Sequence, residues 1–530
     1  MIKIGLFFQK DTFKNTLFII FIFLLFFLAC NIGLDPDFGW RLRGGTIYLR
    51  EGIPNKDPFT YTMPSFPWVD HAWLQSLFIA ISYPLVGKAG LSLISAGLAL
   101  SALFISSSRS KWGHFIYKKP SLFPKPLFLL GNIPFVLAVA VLLSFSGIRV
   151  QIASWVMLSL LLVAILDEKL WKKFRLVTPL FFLIWANLHG GFASGLATLF
   201  LVYGVRSVRK KKFNFSDLLI LVLSVLSTLA TPYGLGTWRE VYSSIADSSL
   251  RWSISEWMPS IFMADFSMGA LIVLSATVVF RYRHLFLPEE IAIYVIFLVQ
   301  GLLTRRHLPL WVIVSVPMSI RGIYYFYKDI LKIKGAEARF RKAFVYGWYG
   351  SIVIFLIQTV INFTGAYYMR EDDFYPRAAV QYLKANLPKG EIFSDYGWGG
   401  YLIWKLPEKK VFIDGRMPSW KWTPPNANET GYAFDEYKKI INGEYYFRQQ
   451  FEYYNVDTVL LPNRKNNSLE GYLEKRIVNL FQKNNFEFDL TKELEKAGWT
   501  KVFEDKTGVV YHKSNKNTQF NSKVSELIEQ

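Results

Sequence analysis

Long apolar runs recur along most of this chain, and they constrain its fold more than any other feature of the sequence. The first extends from Thr16 to Ile32, and others follow to about residue 364. Transmembrane helices need roughly 20 apolar residues each, and several of these runs are shorter, so their ends are expected to extend into flanking polar residues. Hydrophobic residues make up 52% of the 530 residues and charged residues only 19%, below the roughly 25% of soluble domains. The sequence therefore predicts an α-helical polytopic membrane protein.

The runs indicate how many helices cross the membrane. The stretch from Trp73 to Val86 is short for a span, and counting it as one would place the later basic loops outside, so it is interpreted as an interfacial or re-entrant helix. The remaining runs predict about eleven transmembrane helices, at Thr16–Ile32 and at approximately 91–108, 126–146, 151–166, 176–188, 192–205, 217–231, 261–280, 289–303, 308–323 and 343–364.

Basic residues indicate the orientation of these helices. Lysine and arginine cluster in every second loop, for example at Lys169–Arg175, Arg206–Lys212 and Lys328–Lys342. The positive-inside rule places such loops, and with them the N-terminus, in the cytoplasm. Attraction to anionic lipid explains the net charge of +20 in so apolar a chain better than a nucleic-acid partner does. The lone cysteine, Cys30, excludes a disulfide framework and a cysteine-based zinc site.

Two domains are predicted. Residues 1–366 form the transmembrane domain, with a first outer loop at about 35–90, and an odd number of spans places residues 367–530 outside the membrane. The second part is more polar and mixes helical and strand patterns, which predicts an extracytoplasmic α/β domain in a multi-pass protein of the plasma or inner membrane. Its predicted elements are a helix at Arg377–Asn386, β-rich runs at Val411–Ile413 and Thr458–Leu461, and a hairpin formed by Lys501–Phe503 and Val509–Tyr511.

Polar residues collect where the helices meet the outer face. Ionisable residues at this depth are costly and usually functional, so their convergence predicts an extracytoplasmic active site. Each has a plainer explanation as well, because helix ends, solvated loops, interfacial anchors and aromatic belts use the same residue types. The Phe38-Gly39-Trp40 segment is interpreted as a turn. The candidates are Asp35, Asp37, Trp40, Arg41, His71, Arg149, Asn187, His189, Glu256, Arg305, Arg306 and His307.

These residue types suit chemistry on a lipid-linked phosphate. Asp35 and Asp37 are candidates for a general base, or for ligands of a divalent metal such as Mg²⁺ or Mn²⁺ that bridges to a phosphate; the sequence does not require the metal. Arginine and histidine hold phosphates through charge-assisted hydrogen bonds. A lipid phosphate keeps its charged head at this depth and its tail in the membrane. Group transfer from a lipid-linked donor is the predicted reaction type.

The order of four motifs adds a family resemblance. Asp-Pro-Asp-Phe-Gly-Trp (35–40), Gly-Ile-Pro-x-x-Asp-Pro-Phe (52–59), Trp-Val-Asp-His-x-Trp-Leu (68–74) and Trp-Ala-Asn-Leu-His-Gly-Gly (185–191) resemble a family of bacterial multi-spanning proteins. That family is similar to GT-C-type glycosyltransferases, which are related in architecture to protein mannosyltransferases and oligosaccharyltransferases. Arg-Arg-His-x-Pro (305–309) and Val-Phe-Ile-Asp-Gly-Arg (411–416) also fit. The resemblance implies a catalytic acid at Asp35 or Asp37, a polyprenyl-phosphate sugar donor and inversion at the anomeric carbon.

The chain also departs from its relatives. Ala72 stands where they commonly have Glu, which weakens an acid–base role for the His71 region. Asp395-Tyr396-Gly397 resembles part of an oligosaccharyltransferase acceptor motif, but Phe393-Ser394 replaces its two tryptophans, so sequon binding is not inferred. Arg416 is either an acceptor contact or half of a structural ion pair. The acceptor-side candidates are Asp395, Tyr396, Asp414 and Arg416.

The predicted function is therefore transfer of a sugar from a polyprenyl-phosphate donor to an acceptor on the outer face. Alternatives are a ligase for lipid-linked glycans, a transporter or flippase, and a non-catalytic assembly scaffold. A transporter is expected to carry paired halves and polar residues near the membrane midplane, whereas this chain concentrates its polar residues at one face.

Overall fold

The computed structural model describes residues 10–109, 125–247, 252, 254–262, 265–333, 335–422, 426, 428–463 and 488–513. It is mostly helical and divides into two compact units. The first comprises Met1–Ile53 and Val69–Arg370, and the second comprises Pro54–Trp68 and Glu371–Gln530. The sequence assigned the whole first outer loop to the membrane domain; in the structure, the Pro54–Trp68 part of that loop groups with the C-terminal unit.

Helices make up the first unit. Their bounds are α1 Lys10–Ile32, α2 Phe38–Arg50, α3 Trp73–Ser108, α4 Lys125–Leu143, α5 Gln151–Leu166, α6 Glu168–Phe174, α7 Thr178–Leu188, α8 Phe192–Lys210, α9 Phe215–Ser227, α10 Leu235–Ala246, α11 Phe266–Arg281, α12 Pro288–Leu303, α13 Leu308–Leu331 and α14 Ala336–Tyr368. Asp167, Asn214 and Asp265 cap α6, α9 and α11 by accepting backbone N–H groups of the first helical turn.

Apolar length identifies membrane-crossing helices within the described residues. Trp73–Ser108, Arg305–Leu331 and Lys342–Tyr368 are each long and apolar enough to span. Gln151–Leu166 and Glu168–Leu188 form a pair bent by 114°, which is a fourth span if it counts as one. Shorter apolar helices lie at Thr16–Ile32, Asn132–Leu143, Phe215–Ser227 and Phe266–Arg281.

Gly87 divides α3 into two segments. Its φ of 61° and ψ of −169° are not helical, and only glycine adopts such a backbone conformation at little cost. The first segment, Trp73–Val86, matches the apolar stretch that the sequence separates from the span beginning near residue 91. Gly45 allows α2 to pack against this segment, since a Cβ there would lie 2.1 Å from the Ser76 carbonyl oxygen.

The core of the first unit surrounds α13. Every side chain from Leu308 to Ile320 on this helix is buried, and it packs against α3, α4, α11 and α12. A helix that is buried on all sides must be apolar on all sides, which accounts for the lack of a polar stripe along this stretch.

Buried carboxylates begin α12. Glu290 pairs with Arg109 and Arg321, each at 2.7 Å, and Glu289 lies 2.8 Å from Arg209. Some of the arginines that were used to predict the orientation are therefore ion-paired with these acids inside the protein. They attract anionic lipid less strongly than the number of basic residues in the loops suggests.

The second unit contains a four-stranded sheet in the order β1-β2-β4-β3. β1 pairs parallel with β2, while β2 pairs antiparallel with β4 and β4 antiparallel with β3. The predicted helix near residue 377 and the predicted C-terminal hairpin are both present. The strands are β1 Glu391–Ser394, β2 Val456–Pro462, β3 Trp499–Glu504 and β4 Gly508–Lys513, and the helices are α15 Arg377–Ala385, α16 Gly399–Lys405, α17 Ala433–Asn442, α18 Phe447–Tyr453 and α19 Leu490–Lys496.

The predicted β-rich run at Val411–Ile413 is not a strand of this sheet. Val411 makes only isolated bridges, to Thr60 and to Ile392. Its backbone N–H donates to the Phe59 carbonyl oxygen at 2.9 Å. The run is buried because it covers the 54–68 segment within the second unit, and burial explains an apolar pattern that resembles that of a strand.

Candidate functional site

The segment between α1 and α2 carries the two candidate catalytic acids. Asp35 Oδ2 lies 2.7 Å from Arg149 Nε, and Asp35 Oδ1 accepts the backbone N–H of Asp37 at 3.0 Å. The predicted turn at Phe38–Trp40 is wrong, since Phe38 begins α2. Asp37 therefore stands at a helix N-terminus, where the partial positive charge of the backbone favours a carboxylate.

Asp37 is less engaged than Asp35. Its Oδ1 accepts a hydrogen bond from Trp40 Nε1 at 3.0 Å. Among the described residues, no lysine, arginine or histidine lies within ion-pair distance of it. Trp40 itself is 2% exposed, so its indole supports the acid from within the protein. Of the two acids, Asp37 has the carboxylate with hydrogen-bonding capacity to spare.

Arg149 connects two acids from different parts of the chain. Besides Asp35, it contacts Glu256, whose Oε1 lies 2.8 Å from Arg149 Nη1. Burial raises the pKa of Asp35 to about 6, an effect that the Arg149 charge opposes and that Asp37 and Glu256 reinforce. The Arg149 charge lowers the pKa of Glu256. The cluster thus contains the carboxylates of Asp35, Asp37 and Glu256 and the guanidinium of Arg149, which is already ion-paired.

Arg41 is occupied by a buried structural contact. Its Nη1 lies 3.2 Å from Asp70, and both side chains are almost fully buried. Asp70 also accepts hydrogen bonds from Tyr48, Ser76 and the backbone of Ala72. This network fixes the chain just before α3 and thereby positions the neighbouring His71, so Arg41 acts through other residues here.

Two of the predicted histidines meet in the site. The rings of His71 and His189 are 5.5 Å apart in an edge-to-face arrangement. Burial, together with the charges of Arg41 and Arg306, lowers the pKa of His71 to about 3. Burial also lowers the pKa of His189 well below its usual value. Both imidazoles are therefore neutral near pH 7.

The hydrogen bonds of His189 define its tautomer. Nδ1 accepts the Gly191 backbone N–H at 3.0 Å and lies 2.8 Å from Ser154 Oγ, which itself accepts from Trp185 Nε1. Because Nδ1 is an acceptor, the proton of the neutral ring resides on Nε2. Within the described part of the chain, Nε2 is buried without a hydrogen-bond partner. His189 thus presents an unused donor, and Ser154 and Trp185, which sequence reasoning missed, hold it in place.

The segment Arg305–His307 lies between α12 and α13. The Arg306 guanidinium stacks 5.2 Å from the Trp257 ring centroid, and the Arg305 guanidinium lies 5.4 Å from that of Phe145. Among the described residues, Arg306 has no carboxylate within 4.0 Å. It influences the titration of His71, His189 and Glu256. Arg306 is a cation available to an anionic ligand, whereas His307 serves as the N-terminal boundary of α13.

Asn187 is saturated by contacts within the protein. Its Oδ1 accepts from Trp73 Nε1 at 2.8 Å, and its Nδ2 donates to the carbonyl oxygens of Leu183 and Ala230. These bonds tie the end of α7 to α3 and to the segment after α9. Asn187 therefore holds these segments together and has no free side-chain group for a substrate.

An apolar cavity of about 570 Å³ adjoins this cluster in the first unit. Its walls come mainly from α3 and α5, with Leu74, Phe78, Leu98 and Met157 among them, and Arg149 contributes at one end. A cavity with such an apolar lining suits a hydrocarbon chain. No single sequence motif encodes it, because its walls are separate in the chain.

In the second unit, the acceptor-side candidates are engaged internally. Asp395 Oδ1 accepts the Gly397 backbone N–H at 2.8 Å, and Tyr396 packs on Phe434. Burial raises the pKa of Asp395.

Asp414 and Arg416 belong to one buried cluster. Arg416 Nη1 lies 2.8 Å from Asp57 Oδ1, and Arg416 Nε donates to Asp414 Oδ1 at 2.8 Å. Its guanidinium also lies about 5 Å from the Trp68 and Trp420 rings, at 4.8 and 4.9 Å. Arg416 thus joins the 54–68 segment to the C-terminal part of the unit.

Metal binding finds little support in the arrangement of these acids. Within the described residues, no group of three or more His, Cys, Asp or Glu side chains could hold a metal ion. The Asp35 oxygens are taken by Arg149 and the Asp37 backbone, and one Asp37 oxygen by Trp40. The side chains present do not form a cation site by themselves, and the predicted metal at Asp35 and Asp37 stays a prediction.

Comparison with known proteins assigns the fold to a class. No family model and no curated protein matches the sequence. Among solved structures, ArnT from Cupriavidus metallidurans bound to undecaprenyl phosphate is similar, with a TM-score of 0.50 and 12% identity over 95% of this chain and 99% of that one. Its apo state has a TM-score of 0.49 and 13% identity over 95% and 98% of the two chains.

The similarity to the lipid-bound ArnT structure is one of fold. The present chain has an ArnT-like fold, as expected for a protein that resembles GT-C-type membrane glycosyltransferases. The resemblance implied by the sequence motifs is thereby confirmed.

Proposed function

We propose that this protein is a glycosyltransferase that moves a sugar from a polyprenyl-phosphate donor to an acceptor on the outer face of a plasma or inner membrane. The observation that carries the proposal is the apolar cavity that Arg149 helps to line, because Arg149 is also ion-paired with the candidate acid Asp35. The solved ArnT structure with undecaprenyl phosphate supports the choice of a lipid phosphate.

The donor's phosphate is assigned to Arg306 and His189. Arg306 has no carboxylate partner among the described residues, and His189 Nε2 is a buried donor without an acceptor there. A phosphate oxygen accepts from both, and a charge-assisted bond from the guanidinium is roughly twice as strong as a neutral one. Arg305 supplies additional positive charge nearby. The neutral state of His189 makes its contribution independent of pH near neutrality.

The prenyl chain is assigned to the cavity between α3 and α5. Its lining is apolar except for a few side chains such as Gln75, whose amide donates to the Val150 and Leu188 carbonyl oxygens and is thus satisfied within the protein. Because the prenyl chain comes from the bilayer and not from water, van der Waals packing against this lining stabilises it in the cavity.

Asp37 is the proposed general base. The acceptor hydroxyl attacks the anomeric carbon, its proton passes to the Asp37 carboxylate, and the bond from that carbon to the phosphate oxygen breaks. The electron pair of the broken bond leaves with the polyprenyl phosphate, whose charge Arg306 and His189 stabilise. Attack opposite the leaving group inverts the anomeric centre. Asp35 holds Arg149, and no step requires a metal.

The finer topology belongs to the same proposal. We infer about eleven transmembrane helices, a cytoplasmic N-terminus and an extracytoplasmic α/β unit. The apolar helices of the described residues and the ArnT-like fold support a membrane-embedded protein.

A donor screen tests the proposal. The purified protein is incubated with radiolabelled polyprenyl-phosphate sugars and a total envelope extract as acceptor, and transfer is compared with that of Asp37→Asn. Transfer from one donor, lost in the variant, supports the glycosyltransferase. Reconstituted vesicles that move a lipid-linked glycan across the bilayer without any transfer support the flippase alternative instead.

A further inference from the structure

A polar cavity of about 500 Å³ lies in the second unit, and none of the acceptor-side residues that the sequence suggested is among its lining residues. Small-molecule sites in proteins have volumes of about 300–1,000 Å³, so this one accommodates a small ligand or one unit of a larger one. Aromatic rings and carboxylates make up much of its wall, with Trp422, Glu429, Tyr432, Asp435, Tyr445 and Tyr453 among the lining residues.

Two wall atoms have unused hydrogen-bonding capacity. Trp422 Nε1 and Glu429 Oε2 are buried without a partner among the described residues. Buried polar atoms are nearly always bonded, and leaving one unpaired costs about 1–3 kcal/mol. The same side chains are otherwise fixed, because Glu429 Oε1 accepts the Ser65 backbone N–H at 3.0 Å and the Trp422 ring packs edge-on against Phe66. The two residues that line this cavity thus carry one unused donor and one unused acceptor, which a small side-chain rotation would expose to a ligand.

The unused pair narrows the chemistry of the ligand. Hydroxyl groups both donate and accept, so a polyol can satisfy the Trp422 N–H and the Glu429 oxygen together. An ammonium group can satisfy only the carboxylate. Aromatic rings add flat apolar faces, and the Tyr453 side chain at the cavity is 56% exposed.

The charge of the lining acts against anions. Glu429, Asp435 and Glu436 contribute three carboxylates, whereas Lys421 is the only basic residue among the described lining residues. The Lys421 ammonium already lies 4.6 Å from the Tyr432 ring centroid. An anionic sugar would meet net negative charge, while a neutral one would not.

We propose that this cavity binds a neutral saccharide unit, with Trp422 donating to a sugar hydroxyl oxygen, Glu429 accepting a hydroxyl proton and Tyr453 covering a C–H face. The inference rests on residues of the second unit alone and does not depend on the transferase activity. Where the protein is a glycosyltransferase, the cavity holds a glycan portion of the acceptor.

Binding measurements on the full-length protein test the inference. The protein is placed in lipid nanodiscs, because maltoside detergents carry sugar heads that would compete. Glucose, N-acetylglucosamine, glucuronic acid and trilysine are titrated while saturation-transfer NMR reports binding. We expect at least one neutral sugar to bind with a Kd on the order of 1–10 mM, and glucuronic acid at least ten-fold more weakly.

Variants locate the binding. Glu429→Gln exchanges an acceptor for a donor, and Trp422→Phe removes the N–H while retaining an aromatic ring; each is expected to weaken sugar binding at least five-fold. The matched control is Tyr446→Ala, which removes an exposed tyrosine that does not line the cavity. If either variant fails to fold, the other carries the test.

Three results would overturn the inference. The first is that no neutral sugar binds at about 50 mM, roughly five times the upper end of the expected Kd range. The others are binding unchanged in the folded variants, and tighter binding of trilysine than of any sugar. The last result would identify a site for basic peptide. A loss of sugar binding in these variants with normal donor turnover would separate this site from the proposed transferase centre.

Discussion

The Arg149 guanidinium lies 2.7 Å from the Asp35 carboxylate, so the first acid of the Asp-Pro-Asp segment is held in an ion pair. Asp37, two residues later, accepts only a hydrogen bond from Trp40 among the described residues. The two acids thus have different environments despite their similar sequence positions. This difference assigns the positioning role to Asp35 and the proton-accepting role to Asp37.

Replacement of either acid tests this division. A general base contributes roughly 10²–10⁴-fold in rate, so Asp37→Asn is expected to lower kcat at least a hundred-fold with little change in donor KM. Asp35→Asn releases Arg149 and is expected to lower kcat and to raise donor KM together. Turnover of a labelled polyprenyl-phosphate sugar measures both values.

The matched control is Glu51→Gln, which removes an exposed carboxylate at the end of α2. Its kinetics are expected to equal those of the wild type. Full activity of both Asn variants, with Glu51→Gln also normal, would contradict the assignment and leave the Asp-Pro-Asp segment as a helix boundary.

The titration of Asp35 predicts a pH dependence. Burial raises its pKa from 3.8 to about 6, so the carboxylate loses its proton, and its ion pair with Arg149 reaches full strength, only above that pH. We expect kcat/KM to rise with pH through an apparent pKa near 6. His71, with a pKa lowered to about 3, and His189 are neutral there and contribute nothing to this limb.

Rising pH has the opposite effect on the stability of the protein. Because the folded state binds the Asp35 proton more tightly than the unfolded state, this group's contribution to stability falls as pH rises from about 4 to about 6. An Asp35→Asn variant removes both effects. An acid limb near pH 6 that persists in this variant would assign the titration to another group.

Sequence patterns predicted those features that depend on local periodicity. Apolar runs indicated the membrane helices, a short β-rich run indicated β2, and two such runs around a glycine-containing turn indicated the β3–β4 hairpin. Local patterns gave wrong predictions where a run of residues is apolar because a distant segment of the chain buries it. The Val411–Ile413 run is apolar because it covers the 54–68 segment, and the Phe38-Gly39-Trp40 segment begins a helix although its glycine suggested a turn.

Ion pairs between residues that are distant in the sequence could not be predicted, for a different reason. Arg416 meets Asp57 across 359 positions and Arg41 meets Asp70 across 29, and no local rule selects one acid for one arginine. The Asp57 and Asp70 motifs were recognised by family resemblance, but their partners were not. Ser154 carried no signal either, because a lone serine in an apolar helix usually bonds its own backbone.

Arg306 provides a test of the phosphate site. Its guanidinium has only the Trp257 ring as a described partner, so its removal disturbs no ion pair among those residues. Hydrogen bonds to charged groups contribute about 1.5–3 kcal/mol, and Arg306→Ala is therefore expected to raise donor KM roughly 10–100-fold with a smaller effect on kcat. Steady-state kinetics over donor concentration measure the two constants.

Arg50→Ala is the matched control, because it removes an exposed arginine at the end of α2. A kcat lowered with an unchanged donor KM in Arg306→Ala would instead indicate that the guanidinium acts only in the transition state.

Cysteine labelling tests the orientation. Lys212, just after α8, and Lys384, in α15, are both exposed and therefore suit labelling. In a Cys30→Ala background, an impermeant maleimide is expected to label Lys384→Cys in intact spheroplasts, and to label Lys212→Cys only after permeabilisation. Labelling of both before permeabilisation would contradict the proposed topology.

The Arg416 cluster predicts how the second unit is stabilised. Arg416 pairs with Asp57 and Asp414 while all three side chains are nearly excluded from water. Removal of one member leaves a buried charge without its partner, which typically lowers the free energy of unfolding by about 3–5 kcal/mol. Arg416→Ala in the full-length protein is therefore expected to lower the thermal unfolding midpoint of this unit by roughly 6–20 °C. Limited proteolysis at a series of temperatures measures this midpoint.

The full-length chain is required because a fragment beginning at Glu371 lacks Asp57, which belongs to the same unit through the 54–68 segment. Arg377→Ala is the matched control, since its ion pair with Asp372 is exposed and such pairs contribute only about 0–1 kcal/mol. A structural clamp also predicts that Asp57→Asn destabilises the unit in the same direction as Arg416→Ala. A normal midpoint in Arg416→Ala, accompanied by a raised acceptor KM, would restore the acceptor-contact interpretation of this arginine.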